Sequence, residues 1–164
     1  MPGTAVSSNV VPNKRVQDCL TAMRDRCLTS AGLTIGSSSK KAVKIANTVT
    51  YILDSVFKSK TTAEIAFTAT THDIAPNASS VQEAVYLLSL ASDGTATITK
   101  GTTATGAGNA VVPQTPSGNV PIGYARIAVA AGATLFDATT DDLDAAHLTV
   151  TYVNLSVNAR DYES

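Results

Sequence analysis

The sequence predicts a mainly β fold: an antiparallel β-sandwich or jelly-roll-like barrel, preceded by one N-terminal amphipathic helix and an extended N-terminal arm. Three observations predict it. Alanine and threonine together supply 25 and 23 of the 164 residues, and this small, β-branched composition disfavours long helices. From Leu33 onward apolar residues recur with period two. An Asp93-Gly94 turn sits between two strand-like runs, 84–91 and 95–100, and such a turn marks a hairpin because glycine tolerates positive φ.

Residues 1–12, MPGTAVSSNVVP, are small, polar and broken by two prolines. They read as an arm that cannot fold alone. A helix is expected over 13–28, within a segment 13–30, with Asn13 as its cap after Pro12 and Ala31-Gly32 as its stop. Val16, Leu20, Met23 and Cys27 follow steps of four, three and four and make one narrow apolar stripe. Together with Lys14, Arg15 and Arg24 on the flanking faces they are the candidate interface residues. Such a stripe packs either on the chain's own sheet or on a symmetry mate. Two heptads are too few to hold a coiled coil by themselves.

The β-rich domain is expected to span 33–164. Val43 and Ile45, then Val49, Tyr51 and Leu53, then Ile65, Phe67 and Ala69 alternate with polar or small residues and read as half-buried strands. The SSSKK run at 37–41 and the THDIAPN run at 71–77 read as loops. After the Asp-Gly hairpin, residues 101–119 are rich in Gly, Thr, Ala and Pro and read as one long loop, either mobile or pinned by a partner. Residues 120–124 lead into a strand at 125–129, 139–146 form a turn rich in aspartate, and 148–153 form a last strand. The tail 158–164 is polar.

The net charge of −1 hides an asymmetry: residues 1–60 carry a balance of +6 and residues 61–164 a balance of −7. One end of the molecule is therefore expected to face an acidic partner, protein or nucleic acid. Cys19 and Cys27 are eight residues apart, about 12 Å along a helix, too far to bridge. Two thiols without further ligands make no zinc site, so both read as apolar packing residues suited to a reducing compartment. No signal pattern and no apolar run of membrane-spanning length is evident.

Candidate chemistry is sparse. His72 with Asp73, and His147 with Asp144, lack a nucleophile-elbow pattern, and both histidines read as surface-loop residues. Asp137, Asp141, Asp142 and Asp144 fail the EF-hand spacing and read as a solvated turn whose carboxylates cap backbone amides. Gly101, Gly106 and Gly108 are not followed by a phosphate-cradling Gly-Lys-Ser or Gly-Lys-Thr. Lys40, Lys41, Lys44, Lys58 and Lys60 permit phosphate contacts, but only Tyr51 and Phe57 interleave with them as stacking platforms. No catalytic residue, metal ligand or cofactor is predicted. Contact surface is the remaining currency, which is how an assembly component works.

The run VYLLSLASDGTATITKG, then P-x-G-x-VPIGYARIAVAAG, then LDAAHLTVTY resembles virion structural proteins of tailed bacteriophages. The likeness, over residues 81–157, is to the group of head decoration (cement) proteins and head-fibre bases. It implies a β module on the capsid exterior, assembled in the host cytoplasm, usually trimeric, that bridges major capsid protein subunits. It carries over no individual functional residue. The competing expectation within the group is a fibre base or receptor-binding adhesin component; outside it stands a capsid-associated hydrolase.

Overall fold

A computed structural model describes residues 25–68 and 70–156. The chain is mainly β, and the described residues contain eleven strands, all paired antiparallel. They are β1 (Arg26–Cys27), β2 (Thr34–Ile35), β3 (Ala42–Ile45), β4 (Val49–Leu53), β5 (Val56–Lys60), β6 (Ala63–Ala66), β7 (Gln82–Ala91), β8 (Ala96–Lys100), β9 (Ala104–Thr105), β10 (Asn119–Val129) and β11 (Leu148–Asn154). The large sheet has the order β11-β10-β7-β8, with β9 also paired to β7. Two small sheets have the orders β1-β4-β5 and β2-β3-β6. No sheet closes into a barrel among the described residues.

The period-two pattern decides which side chains meet. Val49, Tyr51 and Leu53 of β4 and Val43 and Ile45 of β3 point inward, onto Ala84, Tyr86, Leu88 and Leu90 of β7 and Val120, Ile122, Ala125, Ile127 and Val129 of β10. One core therefore joins all three sheets, and Phe136 and Leu143 from the β10–β11 connection close it. Phe67, Tyr86 and Phe136 meet edge to face, with centroids 5.1 to 6.4 Å apart, an arrangement favoured by the ring quadrupoles.

The large sheet is covered on its second face as well. Glu83, Val85, Leu87 and Ser89 alternate with the core-facing residues of β7, yet all four are buried. Their cover is the 101–119 segment. A Cβ at Gly101 would lie 2.7 Å from the Val111 carbonyl and 3.2 Å from the Val85 carbonyl, so loop and strand backbones touch there. The Asn119 side-chain amide donates to Ser89 Oγ (3.1 Å) and Thr97 Oγ1 (3.2 Å). The expectation of a loop that is mobile or held by a partner is thus corrected: the chain's own sheet holds it.

Other expectations also change. The helix foreseen to Leu28 does not reach it, since Arg26↔Ile52 and Cys27↔Tyr51 pair β1 with β4 and Asp25 has φ of 49°. Strand pairing to a buried partner outweighs helix propensity for so short a piece. The rest of that helix, the arm 1–12 and the tail 158–164 lie outside the described residues. The strand foreseen through Phe67 and Ala69 ends at Ala66; Phe67 belongs to the aromatic cluster, and Ala69 lies outside the described residues. The strand foreseen at 125–129 starts at Asn119, and it absorbs Pro121 by a register shift between Pro121 and Gly123. The Asp-Gly hairpin forms as foreseen, with Leu90↔Ala96 and Gly94 at φ 81°.

Candidate interaction surfaces

Of the seven candidate interface residues, Val16, Leu20, Met23, Lys14, Arg15 and Arg24 lie outside the described residues. Cys27 is not at a surface. It is buried in the chain's own core, its thiol donates to the Thr29 carbonyl (2.9 Å), and burial pushes the thiol pKa up.

His72 is also misplaced by the sequence reading, being buried rather than on a surface loop. The Thr68 N–H donates to its Nδ1 (2.7 Å). Tyr86 donates its hydroxyl proton to the His72 carbonyl. Burial holds the imidazole pKa below its usual value, and the Thr68 bond to its ring together with the Tyr86 bond to its carbonyl fastens His72 against β7. Asp73 completes the fastening: it accepts from the Ala138 amide (2.8 Å) and the Thr70 amide (3.1 Å), and its carbonyl receives Lys100. His147 is partly exposed, with Nε2 3.6 Å from Asp141, beyond hydrogen-bond reach.

The aspartates at 137–144 behave as capping groups. Asp137 Oδ1 accepts from the Thr139 amide and hydroxyl and from the Thr140 amide, and Asp141 Oδ2 accepts from the Asp137 amide. The Thr139 bonds lead in holding the Asp137 carboxyl below the usual range. Asp144 pairs with Lys40 at 2.5 Å across an exposed surface. Among the described residues no group of three or more His, Cys, Asp or Glu stands together for a metal ion.

Two features remain that sequence reasoning missed. The first is a carboxylate clamp. Glu83 lies at the start of β7 on the second face of the large sheet, opposite Ala128, and Arg126 on β10, opposite Val85, is its diagonal neighbour on that face. They form an ion pair; Glu83 Oε2 also accepts the Gly108 amide (2.9 Å) and Oε1 the Ala110 amide (3.2 Å). Next to the clamp, Ala107, Ala128, Thr149 and Thr151 border an open concavity of about 350 Å³. A lone Glu entering a nine-residue uncharged run was the trace of this in the sequence.

The second feature is the β4–β5 hairpin. Asp54 and Ser55 both take positive φ, 53° and 65°, in its two-residue turn, the pattern whose twist matches paired strands. The Asp25 carboxylate accepts the Asp54 amide at 2.9 Å. β5 is an edge strand, and it leaves Phe57 66% exposed and Val56 52% exposed, with Lys58 and Lys60 on the same strand. Phe57 pairs with Ile52 and so stands on the face opposite Tyr51 and the core. The Asp-Ser turn flanked by short apolar stretches was the available signal.

No family model matches the chain, and neither does any curated protein or solved structure.

Proposed function

We propose that this chain is a non-enzymatic capsid decoration, or cement, protein. In this reading it binds the outside of a phage head and stabilises it by bridging major capsid protein subunits, as a homo-oligomer with three copies favoured. Its body is a β-sandwich in which the two small sheets lie over one face of the large sheet. The observation that carries the reading is the β4–β5 hairpin: adjacent exposed Val56 and Phe57, beside Lys58 and Lys60, on the edge of a small sheet. Val56 pairs with Leu53 and Phe57 with Ile52, so they stand on opposite faces of the hairpin, and both are apolar surface that a partner gripping its tip would bury. Burying the exposed part of Phe57 contributes roughly 1–2 kcal/mol per copy, a gain multiplied by every copy on a shell. The lysines suit an acidic rim on the partner, in line with the excess positive charge of residues 1–60. The strand runs that resemble virion structural proteins support the same reading.

The test is cosedimentation of the purified chain with empty heads, imaged by electron microscopy, for wild type and Phe57→Asp. Binding by wild type and its loss in the variant, at unchanged thermal stability, is expected. A wild-type chain that stays monomeric at every concentration and does not bind heads refutes the proposal.

A further inference from the structure

We infer that the outer edge of β11 is a twofold contact that joins two copies of this chain by continuing the large sheet from one into the other. The inference rests on the edge alone and does not depend on the capsid reading. The end bonds of the β10–β11 ladder fix which amides are free. Leu155 N–H donates to the Ile122 carbonyl (3.1 Å) and Ala130 N–H to the His147 carbonyl (3.0 Å). In an antiparallel pair bonded residues alternate, so Thr149, Thr151 and Val153 face β10 with their backbone groups. Val150, Tyr152 and Asn154 then aim their N–H and C=O groups outward, and among the described residues no strand pairs with that edge.

Seven residues of open ladder without one charge are unusual, because folded proteins blunt such edges. This chain blunts its others. β8 is five residues long and ends on Lys100, whose ammonium bonds the Asp73 carbonyl. β5 carries Lys58 and Lys60, and β1, β2 and β6 are four residues long or fewer. Only β11, Leu-Thr-Val-Thr-Tyr-Val-Asn, is both long and bare among these edges.

Its sequence fits a second copy of itself. A twofold axis at Thr151 sets Thr151 against Thr151, Thr149 against Val153, and Val150 against Tyr152. A threonine pair and an aromatic–β-branched pair are favourable cross-strand neighbours, and no like charges meet. About six new backbone hydrogen bonds form, exchanged between Val150 and Tyr152 and from Asn154 to Leu148. The side chains of Thr149 and Thr151 are exposed and ready to pack on the outer face. A twofold contact makes pairs, so in a trimeric assembly it would tie one trimer to the next.

The register makes a sharp test. The central pair is non-hydrogen-bonded, which puts the two Thr151 Cα atoms about 4.5 Å apart, inside the window for a disulfide. The two Thr149 Cα atoms would be about 14 Å apart, four residues along the strands. In a Cys19→Ser background of the full chain, mild oxidation of Thr151→Cys is expected to give a crosslinked dimer on a non-reducing gel. Thr149→Cys is expected to stay uncrosslinked. Thr151→Lys, which sets two lysines against each other across the axis, each beside its own chain's Arg126, is expected to weaken self-association at least tenfold in sedimentation, with circular dichroism checking that the monomer stays folded. Equal crosslinking of both cysteine variants, no crosslinking of Thr151→Cys, or an unaltered mass in Thr151→Lys overturns the inference. Head binding by the same variants reads the other proposal separately.

Discussion

Replacing Glu83 with alanine tests how the second face of the large sheet is held. The Glu83 carboxylate serves three donors: Arg126 and the amides of Gly108 and Ala110. Alanine leaves the Ala110 amide orphaned at a buried residue, which costs about 1–3 kcal/mol. It also removes the partner of Arg126. Breaking a fully buried ion pair costs about 3–5 kcal/mol, but the Arg126 side chain is 28% exposed and recovers part of this from water. Gly108 is exposed, so its amide finds water at little loss. Together these give about 3 kcal/mol, which for a chain of this size lowers the melting temperature by roughly 6–12 °C. Urea unfolding measures the loss, and amide hydrogen exchange at Gly108 and Ala110 localises it, since both should exchange much faster while the core amides of β10 change only with global stability. A second variant, Glu83→Ala with Arg126→Met, should regain part of the stability because no unpaired charge remains. A loss below about 1 kcal/mol with unchanged exchange at both amides would falsify the clamp.

Three further outcomes follow from the same geometry. His72 has a folded-state pKa depressed by burial, so its contribution is complete above the unfolded value near 6.5 and is lost as pH falls below it toward the folded value; the wild type should lose stability across that window, and His72→Gln should flatten the pH profile of the melting temperature. Glu64 accepts the amides of Ser37, Ser38 and Ser39 and the Ser37 hydroxyl, the Ser38 amide leading, and its carboxyl is held at about 2. The stability it provides is present above pH 4.5 and lost as pH falls toward 2, and Glu64→Gln should remove that acid-sensitive step in a titration followed by circular dichroism. A Cβ at Gly123 would meet Leu33 Cδ1 at 2.4 Å and the Val153 carbonyl at 2.5 Å, so Gly123→Ala should cost about 1–3 kcal/mol in urea unfolding; a neutral substitution would mean that β10 and β11 are further apart than described.

Much of the β body was legible because burial on one face leaves a period of two. Val43 and Ile45, Val49, Tyr51 and Leu53, and the Asp-Gly hairpin all sit where that period places them. The reading failed where a residue's fate depends on distant chain. Arg26 and Cys27 carry a helical spacing, but β4, twenty-five residues on, recruits them as strand. His72 looks like a polar loop residue; only the folded chain brings Thr68, Ile98 and the Tyr86 ring around it. The run at 84–91, read from the sequence only as one arm of the hairpin, is buried on both faces in the folded chain, as a nearly continuous apolar stretch suits. What covers its second face was hidden, since residues 101–119 bind it through backbone amides and small side chains that leave no periodic trace.

The double covering of β7 also shapes how the chain must fold. Its local partner β8 follows after a tight turn, but its other edge is filled by β10, whose first residue is Asn119. During synthesis the uncharged segment AVYLLSLA therefore emerges well before the strand that seals it. Such a stretch is prone to pair with other chains while it waits. The sequence-distant closure of β10 onto β7 is thus the stage at which the chain is most open to aggregation, and any delay between the two strands prolongs it.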